Sequence, residues 1–203
     1  MPILRQEILE LAALGVDAIQ LDEPLLPRLS DPETYNLRPD PAALSAAVEL
    51  SVQTINEVAG GLDSVYLSVH LCHAHGAAYH AHAGAIGLIQ SAIARYRVDR
   101  IAMEINSPVA RALQSLEEFP ADKILGLGVI APKDPELETP ALVVERAERA
   151  LCTINPDRIV LNPDCGCATT ASSSGDLKLA GRKLTAMCAG ARILRERHAL
   201  SSG

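Results

Sequence analysis

Ser64-Val65-Tyr66-Leu67-Ser68-Val69-His70-Leu71-Cys72 decides how this chain is read. The run is a short β-type stretch. It predicts a strand over Ser64–Val69 that ends at His70-Leu71-Cys72. Strand periodicity is two, so His70 and Cys72 lie on one face and can share a metal ion. Asp40-Pro41 upstream has the form of an N-cap followed by a first-position proline. It opens a helix to about Val58 that stops at Gly60-Gly61. Further back, residues 3–14 read as a helix ended by Gly15, and Ala18–Leu21 as a short buried strand leading into Asp22-Glu23-Pro24. Five prolines in 18 residues (24, 27, 32, 39, 41) predict irregular or turn-rich chain between them.

The same alternation continues downstream. A Gly- and His-rich loop leads to a helix at about 84–97, then to a strand at Arg100–Met103 ending at Glu104. Ser107-Pro108 caps a further helix. Lys123–Ile130 reads as a strand in which Gly126 and Gly128 permit close backbone approach. Thr139-Pro140 caps a helix to about 152. Arg158–Leu161 is a fifth strand, ending at Asn162-Pro163-Asp164-Cys165-Gly166-Cys167, and a last helix runs to about 197. Five repeats of strand, loop and helix imply βαβ units and a parallel sheet. Asp22, His70, Cys72, Glu104 and Cys165 all fall at the C-terminal ends of strands, where α/β folds carry their active sites. The expected organisation is one domain over residues 1–200, with 201–203 a frayed tail.

Composition narrows the function. The 203 residues are 48% hydrophobic, yet there is no Trp and only one Phe, so the core must be aliphatic. The net charge of −7, with both signs mixed along the chain, argues against a nucleic-acid groove. No apolar run reaches the roughly 18 residues of a membrane span. Met1–Leu11 does not read as a signal peptide, and the expected compartment is the cytoplasm. Five of the six His (70, 73, 75, 80, 82) cluster beside Cys72. Five Cys in such a chain suggest a metal site rather than disulfides. One His, two Cys and one Glu form a mixed donor set that suits zinc.

The segments Ile19-Gln20-Leu21-Asp22-Glu23-Pro24, His70-Leu71-Cys72, Met103-Glu104-Ile105, Gly126-Leu127-Gly128-Val129 and Asn162-Pro163-Asp164-Cys165-Gly166 occur in that order. Together they resemble the catalytic barrel of cobalamin-independent methionine synthase and its wider family of zinc-dependent thiol alkyltransferases, from about residue 7 to 170. The resemblance implies a TIM (βα)8-type fold, of which this chain carries about five units, the family's fourth to eighth. It implies zinc ligands His70, Cys72, Glu104 and Cys165, and a substrate amino group held by Asp22. The implied activity is that of a methyltetrahydropteroyltriglutamate–homocysteine S-methyltransferase in methionine biosynthesis. Homocysteine would be the thiol acceptor, with methyltetrahydrofolate or a corrinoid protein as donor.

Several positions depart from the family pattern. Lys133, in Ala131-Pro132-Lys133, stands where methionine synthases place a proton-donating His, and is a weak catalytic candidate. Arg28 replaces a folate-contacting acid, and Ala168-Thr169-Thr170 replaces a Lys-Thr-Arg. These changes count against methyltetrahydrofolate as donor, and the Lys and the Ala-Thr stretch resemble the branch with epoxide-opening coenzyme M transferases, so that branch or a corrinoid-linked enzyme is the alternative reading. A complete barrel typically needs about 250 residues. Three further units are therefore expected from a longer gene, a partner chain or self-association; a non-catalytic zinc-binding partial barrel is the reading from a different class. His73, His75, His80 and His82 read as polar loop residues or a second metal or substrate contact. Cys167 reads as a neighbour thiol or an alternative ligand. Glu23 reads as a residue that orients its neighbours or pairs with an Arg, or as a base. Cys152 and Cys188 are expected in the core, and Glu145, Arg146, Glu148 and Arg149 on an ordinary helix face.

Overall fold

A computed structural model describes residues 2–29, 40–62, 64–71, 90–103, 115–132, 134–167 and 176–199. The chain divides into two compact units. One comprises Met1–Ala102 with Glu118–Ile124, the other Met103–Glu117 with Leu125–Gly203.

The first unit opens with helix α1 (Pro2–Ala13). It ends through Gly15, whose φ of 84° is a left-handed conformation that favours glycine. Strand β1 (Ala18–Asp22) follows, one residue longer than expected. The proline-rich stretch then departs from expectation, because Leu25–Leu29 forms a short helix, α2. Pro27 is tolerated there because first-turn N–H groups have no intrahelical acceptor. Helix α3 (Pro41–Ala59) starts as the sequence indicates: Asp40 Oδ1 accepts the Ala43 N–H at 2.7 Å. Strand β2 (Tyr66–Leu71) runs two residues beyond its expected end, so His70 lies within it. The helix expected at 84–97 is seen at 90–93 and gives way to a turn before 97; its earlier residues, like the Ser107-Pro108 cap, lie outside the described residues. Strand β3 (Arg100–Met103) matches its expected span.

In the second unit, β4 (Ile124–Ile130) is followed by helix α4 (Pro140–Leu151), whose cap Thr139 accepts the Leu142 N–H at 3.2 Å. Strand β5 (Ile159–Pro163) begins after a 3-10 turn, Pro156–Arg158, and helix α5 (Leu177–Ala199) closes the described chain.

The strands form one parallel sheet in chain order, β1-β2-β3-β4-β5. Each strand is thus followed in the sheet by its sequence neighbour, without the reversal that marks doubly wound folds. The first unit's core includes Ile8, Val58, Val69 and Ile101; the second's includes Leu125, Val129, Val143 and Ala147. It is largely aliphatic, as the composition requires, with Tyr96 as a buried aromatic exception in the first unit. Among the described residues, no helix is long and apolar enough to cross a membrane.

Two side-chain expectations fail. Cys152 and Cys188 are exposed. The buried stripe of α5 falls on Lys183, Ala186, Gly190 and Leu194, which turns Cys188 outward. Cys152 caps α4 and donates its thiol to the Glu148 carbonyl.

Candidate active site

In the first unit, the β1–β2 register sets Asp22 directly opposite His70 at the C-terminal ends of both strands. His70 is buried, whereas the Asp22 side chain is 67% exposed. His70 Nδ1 approaches Asp22 Oδ1 at 3.3 Å. The Glu23 backbone N–H donates to the His70 carbonyl at 2.8 Å and carries the strand contact one residue further.

The Glu23 carboxylate is itself buried and caps α2, accepting the Leu26 N–H at 2.9 Å. Burial pushes its pKa up, against the lowering effect of hydrogen bonds from Leu26, Leu25 and Ser51. Ser51 Oγ also shares a hydrogen bond of 2.7 Å with the Tyr96 hydroxyl. Burial pushes that phenol well above its ordinary value, and the nearby Glu23 adds to the effect. Of the sequence readings of Glu23, the one as an organiser of its neighbours matches this geometry. Ser51 and Tyr96 carried no motif that would mark them.

In the second unit, Asp164 and Cys165 are buried just beyond β5, Cys167 is half-buried, and neither cysteine is in a disulfide. The Asp164 N–H donates to the Ile130 carbonyl at 2.8 Å, which ties the segment carrying Cys165 to the end of β4. Gly128 allows this closeness. A Cβ there would lie 2.1 Å from Asp164 Oδ1 and 2.8 Å from the Met103 carbonyl oxygen. The close approach expected of the β4 glycines is realised at this position.

The chain leaving β4 is fastened from α5. Lys183 is buried and its Nζ donates to the Ala131 carbonyl at 3.0 Å, to the Glu136 carbonyl, and to Glu138 Oε2 at 2.7 Å. Glu138 Oε1 accepts the Ala131 N–H at 2.8 Å. Arg146 belongs to this network rather than to an ordinary helix face, since it donates to the Val129 carbonyl at 2.7 Å. Burial alone would raise the pKa of Glu138. The hydrogen bonds from Lys183 and Ala131 outweigh it and hold the carboxyl below its ordinary value. A lysine in a helical sequence reads as solvated, so nothing in the sequence pointed to Lys183.

Cys72, Glu104, Lys133, His73, His75, His80 and His82 lie outside the described residues, as does Ala168-Thr169-Thr170. Among the described residues, no group of three or more His, Cys, Asp and Glu is placed to hold a metal ion.

Residues 2–189 match the family model described as the catalytic domain of cobalamin-independent synthase. The chain belongs to that family. Other members are similar along nearly its whole length. The methionine synthase of Saccharolobus islandicus is 27% identical over 193 residues, covering 95% of this chain and 49% of the relative. That of Pyrococcus abyssi is 27% identical over 194 residues, covering 96% and 48%. The chain thus spans about half the length of the family members it matches. The structure of a B12-independent methionine synthase from Shewanella sp. W3-18-1, in complex with selenomethionine, superposes with a TM-score of 0.75 at 22% identity. The match covers 98% of this chain and 54% of that one. A B12-independent methionine synthase described as putative, from Listeria monocytogenes, gives 0.57 at 19% identity, covering 88% of this chain and 52% of that one. These likenesses establish the fold, an α/β arrangement of the kind expected for part of a TIM-type barrel.

Proposed function

We propose that this chain carries the thiol-accepting part of a zinc-dependent methyltransferase that converts homocysteine to methionine. The observation that carries the reading is the Asp22–His70 pair, 3.3 Å apart at the ends of adjacent strands, inside a segment that matches the family.

The proposed zinc ligands are His70, Cys72, Glu104 and Cys165. The described members suit the metal: His70 supplies a buried imidazole and Cys165 a buried thiol. A carboxylate beside the other ring nitrogen of a ligating His is the usual supporting contact. In that role His70 would turn Nδ1 to Asp22 and ligate through Nε2. When bound, zinc lowers the pKa of the substrate thiol, so a thiolate exists at neutral pH. The second carboxylate oxygen of Asp22 has no partner among the described residues and holds the substrate ammonium group. Methyltetrahydrofolate or a corrinoid protein is the proposed donor, and Lys133 the residue that serves an anion on the donor side. Three further βα units complete the barrel, from the rest of a longer chain, a partner chain or a second copy. The activity is proposed for the cytoplasm. Lys133 and Ala168-Thr169-Thr170, in place of a His and a Lys-Thr-Arg, favour a second reading, another zinc-dependent thiol alkyltransferase of the epoxide–coenzyme M or corrinoid-linked type.

Metal analysis tests the proposal. Purified protein is expected to hold about one zinc per chain, lost in Cys72→Ser and Cys165→Ser. A folded protein that takes up no zinc would sink it. Assays comparing methyltetrahydrofolate with methylcobalamin then identify the donor.

A further inference from the structure

The β1–β2 register pairs Ala18 with Tyr66, Gln20 with Ser68 and Asp22 with His70. Side chains alternate across a strand, so these six residues share one face of the sheet. Arg100, the first residue of β3, joins them there. Its Nε donates to Ser68 Oγ at 3.0 Å, its Nη2 to Gln20 Oε1 at 3.4 Å, and its guanidinium lies 5.9 Å from the centre of the Tyr66 ring. Gln20 Nε2 in turn donates to Asp22 Oδ1 at 3.3 Å, the same oxygen that faces His70.

A guanidinium only donates hydrogen bonds and a carboxylate only accepts them. The Gln20 amide between them therefore has one orientation that satisfies both ends, with its oxygen toward Arg100 and its nitrogen toward Asp22. That orientation fixes which Asp22 oxygen turns to the sheet and which is left for a ligand.

We propose that Gln20 and Arg100 are positioning residues. Arg100, steadied by Ser68 and the Tyr66 ring, sets the Gln20 amide, and the amide sets the Asp22 carboxylate against His70. The inference rests on the proposed function for its consequence, that the row selects acceptors carrying an ammonium group beside the thiol. Neither residue touches the substrate in this scheme. Gln20 and Asp22 are exposed on this face, so the row adds little to fold stability and its variants are expected to fold.

The test uses Gln20→Leu and Arg100→Met, with circular dichroism and thermal melting to verify folding. Long-range proton–nitrogen NMR of the metal-free protein reads the His70 tautomer directly, assigned against His70→Gln. The parent is expected to carry its proton on Nδ1, and both variants to shift toward the Nε2 form. Binding is then read on cobalt-loaded protein through the sulfur-to-metal absorption band. Homocysteine is expected to bind about tenfold more weakly to both variants, by analogy with other outer contacts of metal ligands. The same thiol acid without its amino group is expected to bind within about twofold of the parent, since it forgoes the contact that Asp22 would make.

An unchanged His70 tautomer in both variants overturns the positioning role. Equal loss for the two thiols also overturns it, because it would mean that Arg100 meets the shared carboxylate or that the site has collapsed. A parent protein that binds neither metal nor thiol would refute the proposed function alone, since the tautomer is measured without metal.

Discussion

Gly128 and Asp164 approach so closely that a single methyl group on residue 128 would sit 2.1 Å from the Asp164 carboxylate. Main-chain atoms crowd the same spot: the Met103 carbonyl oxygen at 2.8 Å and Asp164 Cα at 3.1 Å. The neighbour cannot yield by a simple side-chain rotation. Gly128→Ala is therefore expected to cost about 1–3 kcal/mol, the usual range for overpacking, in urea denaturation. Because Asp164 precedes Cys165, zinc affinity should fall with it. A variant as stable as the parent would show that the segment after β5 moves aside freely.

Lys183 is a buried anchor of the chain leaving β4, with three oxygen partners. Lys183→Met leaves Glu138 buried with its closest cation gone. A loss of about 3–5 kcal/mol is expected for a broken buried pair. The double variant Lys183→Met/Glu138→Leu should recover part of that loss, because no charge is then stranded. Failure to recover any would mean that the two carbonyl contacts, rather than the ion pair, hold the loop.

The same pair sets a pH dependence. The Glu138 carboxyl titrates below its ordinary value in the folded chain. A group depressed in this way adds stability that is fully present above the unfolded pKa and is lost as pH falls through the folded one. Urea midpoints of parent and Glu138→Gln should therefore differ most above about pH 4.5 and converge in more acid solution. Parallel curves across that range would refute the assignment.

Ser51 bridges Glu23 and Tyr96 in the interior of the first unit. Ser51→Ala removes a partner from both and should cost about 1–3 kcal/mol, the penalty for stranding a buried polar group. Tyr96→Phe/Ser51→Ala should cost less than the sum of the two single changes. Strict additivity would show that the hydroxyls act independently.

Much of the fold was legible because its signals are local. Asp40-Pro41 and Thr139-Pro140 sit at helix starts, Gly15 and Gly61 take left-handed turns, and Arg100–Met103 is a strand. Short apolar runs between such markers leave little choice of structure. α2 was hidden because proline density reads as irregular chain, while the acceptor that makes a helix possible there is the Glu23 carboxylate. Asp22, His70 and Cys165 stood out because rare, chemically capable residues fell at strand ends. Gln20, Arg100, Ser51 and Lys183 did not. Each depends on a partner 32 to 80 residues away, and no local pattern records such a pairing. The outward-facing Cys152 and Cys188 show the converse error. An apolar helical neighbourhood says that a helix has a buried side, not which residues occupy it.

The pairing of Asp22 with His70 across two parallel strands has a further consequence for selectivity. Neighbouring strands lie roughly 4.8 Å apart, a spacing fixed by main-chain hydrogen bonds and not by any side chain. On the proposed reading, one strand holds the acceptor's nitrogen and the next the anchor for its sulfur. The sheet then serves as a ruler for the carbon chain between those two atoms. Point substitution at the pocket wall cannot rescale such a ruler, so changing the acceptor's chain length would require moving the grip at one end along its strand.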